Sequence, residues 1–128
     1  MGLFTRNTKR LQKEHEGQVK ETFDQLGATL LKGVIPIADV KWREKVKVAG
    51  RVKALRVQPW ADQVASLELT LADGTGGVTV VFFGRRTLGG VKLGTHLVLE
   101  GMTSEHHHLL TILNPEYQLL PRQVPLPY

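Results

Sequence analysis

Cations and flat rings are the residues of this chain with most to offer chemically. Lys47, Arg51, Lys53 and Arg56 fall in a stretch with no acid between positions 46 and 57. Arg85 and Arg86 form an adjacent pair, and Trp60 and Phe83 stand beside these basic stretches in sequence. Guanidinium and ammonium groups match phosphate oxygens, and an aromatic face stacks on a planar base. Glu68 lies between the two basic stretches and repels phosphate. The chain has 2 Trp, 2 Tyr and 4 Phe, too few for an extended stacking platform. The chemistry on offer is therefore weak, sequence-tolerant contact with a polyanion.

Other chemistries fare worse. With 0 Cys, disulfides, thiol nucleophiles and thiolate metal sites are excluded. No Gly-x-Ser-x-Gly, phosphate-binding loop or His-Glu-x-x-His occurs, so a non-catalytic protein without cofactor is expected. His106, His107 and His108 are consecutive. In a strand they alternate between faces, so no more than His106 and His108 converge, and no metal site is expected. No secretory or membrane-spanning pattern stands out, and the expectation is a cytoplasmic protein without membrane partners. The formal net charge of +5 on 128 residues tilts toward polyanionic partners.

Residues 1–7 carry no periodic pattern and are expected to be disordered. Over residues 8–45 the spacing predicts a helix and a connector. Leu11, His15, Val19, Phe23, Leu26 and Leu30 recur at three- and four-residue intervals, Asn7 or Thr8 can cap the start, and Gly27 marks the stop. The bland role for this helix is to cover the barrel rim, and the sharper role is to hold a partner.

From Val46 the period becomes 2. Strands are predicted from Val46 to about Val57 with a bend at Gly50, then over 66–71, 78–83, 96–102 and 108–113. Residues 58–62 and 104–107 read as turns, and Asp73–Gly77 as a hairpin. In strand three, Phe82 points inward, while Val81 and Phe83 point outward. Between Gly84 and Gly94, Leu88 and Val91 are available as plugs. Residues 46–120 then form a barrel, and the proline-punctuated 121–128 an extended tail. The fold class is all-β: a five-stranded OB-fold Greek-key barrel with an N-terminal α-helix. The SH3-like barrel is the competitor, and the long, Gly-bent first strand favours OB.

The segments Val46–Val52, Leu69–Gly76 and Val78–Phe83 resemble nucleic-acid-binding OB domains of the tRNA-anticodon type. Leu97–Gly101 and Asn114-Pro115-Glu116-Tyr117 are similar to the wedge domain of RecG helicases. With the helix and Gly84-Arg85-Arg86, the whole resembles small stand-alone actinobacterial OB-fold nucleic-acid-binding proteins. The resemblance implies a module for single-stranded or irregular nucleic acid, DNA or RNA. It would use Arg51, Lys53, Arg56, Arg85 and Arg86 for the backbone and Trp60 and Phe83 for bases. No helicase motor accompanies it. The alternative is a protein-interaction adaptor or a homodimer held through the N-terminal helix.

Overall fold

A sixteen-residue strand, β1 (Lys45–Trp60), organises the molecule by serving two partners in turn. The structure, a computed structural model, describes residues 2–60 and 64–128, with side chains for 12–59 and 65–128. The first half of β1 pairs antiparallel with β4 (His96–His106), Lys45 opposite Met102 through Arg51 opposite His96. Its second half pairs with β2 (Val64–Ala72), through Leu55 opposite Leu69 and Arg56 opposite Glu68. β2 pairs with β3 (Gly77–Phe83), and β3 runs parallel to β5 (Leu109–Leu113). β5 returns to β4, which closes a ring of five strands. This is the OB barrel. A further strand, β6 (Glu116–Leu119), lies against the first half of β4.

The bend in β1 arises differently from the expectation at Gly50. The register shifts between Val52 and Ala54, so the extra residue is Lys53. Gly50 instead permits a close crossing: a Cβ there would lie 2.5 Å from the Ala72 carbonyl oxygen. Alternation fills the barrel as expected, with Val48, Val52, Leu69, Leu71, Val80, Leu97, Leu99 and Ile112 at most 1% exposed. Leu88 plugs this core, and Val91 packs against it.

A second, smaller core lies outside the barrel. Ala49 and Val98 are covered by Leu120 and Val124, with Phe23, Leu30, Leu31, Val34 and Leu126 packed around them. The helix α1 (Gly2–Leu30) therefore docks its last turns on the outer wall of β1 and β4. It starts at Gly2, although residues 1–7 were expected to be disordered, because no breaker interrupts the stretch from Gly2. It also runs through Gly27, the expected stop. That glycine is a packing notch: a Cβ would meet Val124 Cγ1 at 2.8 Å. Positive φ falls later, at Gly33. The tail folds back over this core, where Val124 N–H donates to the Pro121 carbonyl, and so differs from the extended tail expected. Among the described residues, no helix is long and apolar enough to cross a membrane.

Candidate nucleic-acid interface

Residues 58–60 belong to β1 rather than to a turn, because Gln58, Pro59 and Trp60 pair with Ser66, Ala65 and Val64. This hairpin end lies beside the end of β3, where Ser66 pairs with Phe83 and Gly84 N–H donates to the Ala65 carbonyl. Arg85 and Arg86 follow at once and are exposed. The end of the β1–β2–β3 face thus brings together Arg56, Phe83, Arg85, Arg86 and the backbone of Trp60. The Trp60 side chain and residues 61–63 lie outside the described residues.

Arg56 does not stand alone. Its Nη2 donates to Glu68 Oε1 at 2.8 Å. With its oxygen turned to the guanidinium, the Gln58 amide accepts from Nε at 3.0 Å and from both Nη atoms at 3.1 Å. The cation is held on the face by an acid and an amide, with 62% of its side chain exposed. For Arg85 and Arg86, no ion pair or hydrogen bond forms with another described residue.

Phe82 is buried in the barrel, edge-on to Tyr117 at 5.9 Å, and Phe83 is half-buried on the outer face. Val81 shares the outward parity of Phe83, yet it is 1% exposed and offers no surface. It lies in register between Glu68 on β2 and Leu113 on β5, so neighbouring strands close around it. Phe83 N–H donates to Asn114 Oδ1 at 2.8 Å, which ties β3 to the residue after β5. Its ring meets His106 edge-on at 6.1 Å. Burial and the neighbouring His107 hold the His106 pKa below the ordinary histidine value, against an upward pull from Glu68.

Arg51 and Lys53 belong elsewhere. Arg51 and Arg56 are five positions apart, about 16 Å along a strand at ~3.3 Å per residue. Arg51 and Lys53 line a 270 Å³ pocket with Asp73, Gly74, Leu126 and Tyr128. Arg51 Nε approaches His96 Nε2 at 3.5 Å. Lys47 is different again, lining a pocket with Glu100, Glu116 and Gln118 on the side of α1. Lys47 precedes Arg51 on the same strand by four positions, about 13 Å at ~3.3 Å per residue, and so lines a different pocket.

His108, expected in strand five, lies with His107 in a two-residue turn, both at positive φ (62° and 51°). His108 Nδ1 faces Glu105 Oε1 at 3.3 Å instead of converging with His106. Among the described residues, no group of three metal-ligating side chains forms. Trp42 was not singled out in the sequence, where it sits in an aperiodic connector. In the fold it is 50% exposed. A tryptophan flanked by Lys41 and Arg43 was the available signal.

No protein-family model and no curated protein sequence matches the chain. Solved structures do. The chain is similar to RecG bound to a three-way DNA junction, at TM-score 0.60 and 18% identity, over 70% of this chain and 13% of RecG. It is also similar to the second OB-fold domain of replication protein A from Methanococcus maripaludis (TM-score 0.56, 16% identity, 69% of this chain and 95% of that one). A third likeness is to Schizosaccharomyces pombe Pot1pC bound to single-stranded DNA (TM-score 0.51, 9% identity, 72% and 89%). At these identities the likeness establishes the OB fold.

Proposed function

We propose that this protein is a non-catalytic OB-fold module that binds single-stranded or irregular nucleic acid, weakly and with little sequence preference. Arg56, Arg85 and Arg86 contact the backbone, and Phe83 with Trp60 stacks on bases. The observation that carries this is the meeting of two exposed arginines, without an ion pair among the described residues, with a half-exposed ring at one end of the β1–β2–β3 face. OB domains use this face for single strands. Two similar structures hold DNA, one a junction and one a single strand. Arg51 and Lys53 form a separate basic patch, which a longer strand would reach.

Fluorescence anisotropy with labelled single-stranded and duplex DNA and RNA at two salt concentrations tests this. Micromolar single-strand binding that weakens steeply with salt is expected. Arg85→Ala/Arg86→Ala should flatten the salt slope by up to about 2, as two phosphate contacts are lost. Absence of binding at low salt would overturn the reading.

A second reading is self-association or adaptor binding through α1. Residues 12–22 of the helix are exposed, and Val19 and Phe23 line a groove of 700 Å³ with Arg122 and Pro125. A monomeric mass by light scattering across a concentration series, with no partner recovered in a pulldown, would remove it.

A further inference from the structure

Trp42 lies just before β1 with half of its surface in solvent. The next residue, Arg43, has φ 60°, in the left-handed region that a side chain with a Cβ disfavours. Both ends of this corner are fastened to one buried residue of β4. Thr103 Oγ1 donates to the Lys41 carbonyl at 2.6 Å and accepts from Glu44 N–H at 3.0 Å. Thr103 N–H donates to the Glu44 carbonyl at 2.9 Å. Thr103 itself is 3% exposed. A strained corner persists where its surroundings over-determine it. Here the clamp fixes the backbone of the corner from which the half-exposed indole projects.

The indole and Arg43 line an open groove of 690 Å³ with Ser104, Glu105 and His108. This groove runs along one side of the β4–β5 hairpin. His106, next along β4, meets Phe83 edge-on. The hairpin tip therefore stands between two ring-bearing surfaces. On the Trp42 side, Arg43 is the guanidinium and Glu105 the acid, the latter engaged by His108.

We infer that Trp42 and Arg43 form a subsite for one nucleotide of a single strand, with the base stacked on the indole and its phosphate on the guanidinium, beyond the Phe83 face and across the β4–β5 turn. This rests on the nucleic-acid reading above. A duplex would keep its bases paired and leave the indole without a partner, so the subsite selects single strands.

The chain has 2 Trp, so a Trp60→Phe variant leaves Trp42 as the sole fluorescent indole. Titration of that variant uses a labelled oligodeoxythymidine of about 12 nucleotides, within the roughly 4–16 that one OB fold covers. Anisotropy and indole emission are followed together. The expected result is quenching that saturates in step with anisotropy. Adding Trp42→Ala to the same background should weaken binding about tenfold or more, and Trp42→Phe should stay within about threefold. Binding with unchanged Trp42 emission, and equal affinity for the Trp42→Ala protein, would overturn the subsite while leaving the Phe83 face intact. No anisotropy change for the unsubstituted protein with any DNA or RNA at low salt would remove the parent reading and the subsite with it. If Trp42→Ala fails to fold by circular dichroism, quenching in Trp60→Phe decides the matter by itself.

Discussion

Glu68 and Arg56 face each other across β1 and β2, with Arg56 Nη2 2.8 Å from Glu68 Oε1. The acid that counts against phosphate on this face thus also orients its central cation. The pair is largely exposed on the arginine side, so its worth to stability is about 0.2–1 kcal/mol. Glu68→Gln should therefore barely move the melting temperature. It should tighten single-strand binding about two- to tenfold at low salt and steepen the salt slope by about 1, as Arg56 becomes a full phosphate contact. The same substitution removes the one upward influence on His106, whose pKa should fall further below the usual histidine value. Anisotropy at two salt concentrations and an NMR titration of the imidazole protons check both parts.

The barrel was legible because alternation is local. Val46, Val48, Val78, Val80, Leu69 and Leu71 each follow from period 2, and each is buried. Leu88 as a plug was legible from an apolar residue isolated in a Gly-rich connection. The bulge at Lys53 was not, because it arises where β1 passes from β4 to β2, a fact of long-range pairing. Arg51 and Arg56 lie opposite Ala72 and Glu68, on one face of β2, but too far apart along β1 to share one site. Gly27 read as a helix stop because its packing partner, Val124, lies 97 positions later in the chain. Trp42 sits in a corner whose ends Thr103 fastens, and nothing in its own neighbourhood of sequence announces that clamp. The sixth strand was missed because β6 gains regularity only from the exposed flank of β4.

Gly50 gives the sharpest test of that long-range crossing. A Cβ at this position would fall 2.5 Å from Ala72 O and 2.9 Å from Ala72 C, both backbone atoms of the neighbouring strand. Strands must part to admit it. Gly50→Ala should destabilise the fold by about 1–3 kcal/mol, read as a lower denaturant midpoint at unchanged slope. Gly17→Ala is the control. No heavy atom lies within 4 Å of its Cβ position, and helix propensity gains about 1 kcal/mol. That variant should raise helical circular dichroism without lowering the midpoint.

His96 reports on the second basic patch. Burial first, then Arg51 and Arg122, push its pKa below the ordinary value. Its Nδ1 is buried without a hydrogen-bond partner among the described residues. Because the folded pKa lies below the unfolded one, the unfolded chain binds more protons in the interval between them. Stability is complete above about pH 6.5 and is lost as pH falls through the folded pKa. Arg51→Ala should raise the His96 pKa and make this loss shallower. An oligonucleotide phosphate seated on Arg51 should raise it too, so binding there takes up protons in the acidic range where His96 titrates. NMR titration of His96, free and with oligonucleotide, measures both shifts.

Asp73 carries the opposite edge of the pH range. Its Oδ1 accepts from Thr75 N–H at 2.7 Å, Thr75 Oγ1 at 2.6 Å and Gly76 N–H at 3.0 Å. Its Oδ2 accepts from Ile37 N–H at 3.0 Å, and Thr75 Oγ1 in turn accepts from Ala38 N–H at 3.0 Å. One carboxylate thus closes the β2–β3 turn and pins the 3-10 turn Ile37–Asp39 to it. Burial raises its pKa, but the Thr75 hydroxyl and the three backbone N–H groups outweigh burial and bring it below the ordinary aspartate value. A depressed carboxylate pKa contributes stability that is present above the unfolded pKa and lost as pH falls through the folded one. Asp73→Asn keeps the shape but gives up the charge-assisted bonds and turns a donor toward N–H groups. It should cost about 1–3 kcal/mol at neutral pH and progressively less as pH falls below ~4, where the unfolded chain's carboxylate protonates first and the folded one follows at its lower pKa. Urea denaturation of both proteins at neutral pH and near pH 3 should show the two midpoints converging in acid. A gap that persists unchanged would mean that the turn is held by the shape of Asp73 and not by its charge.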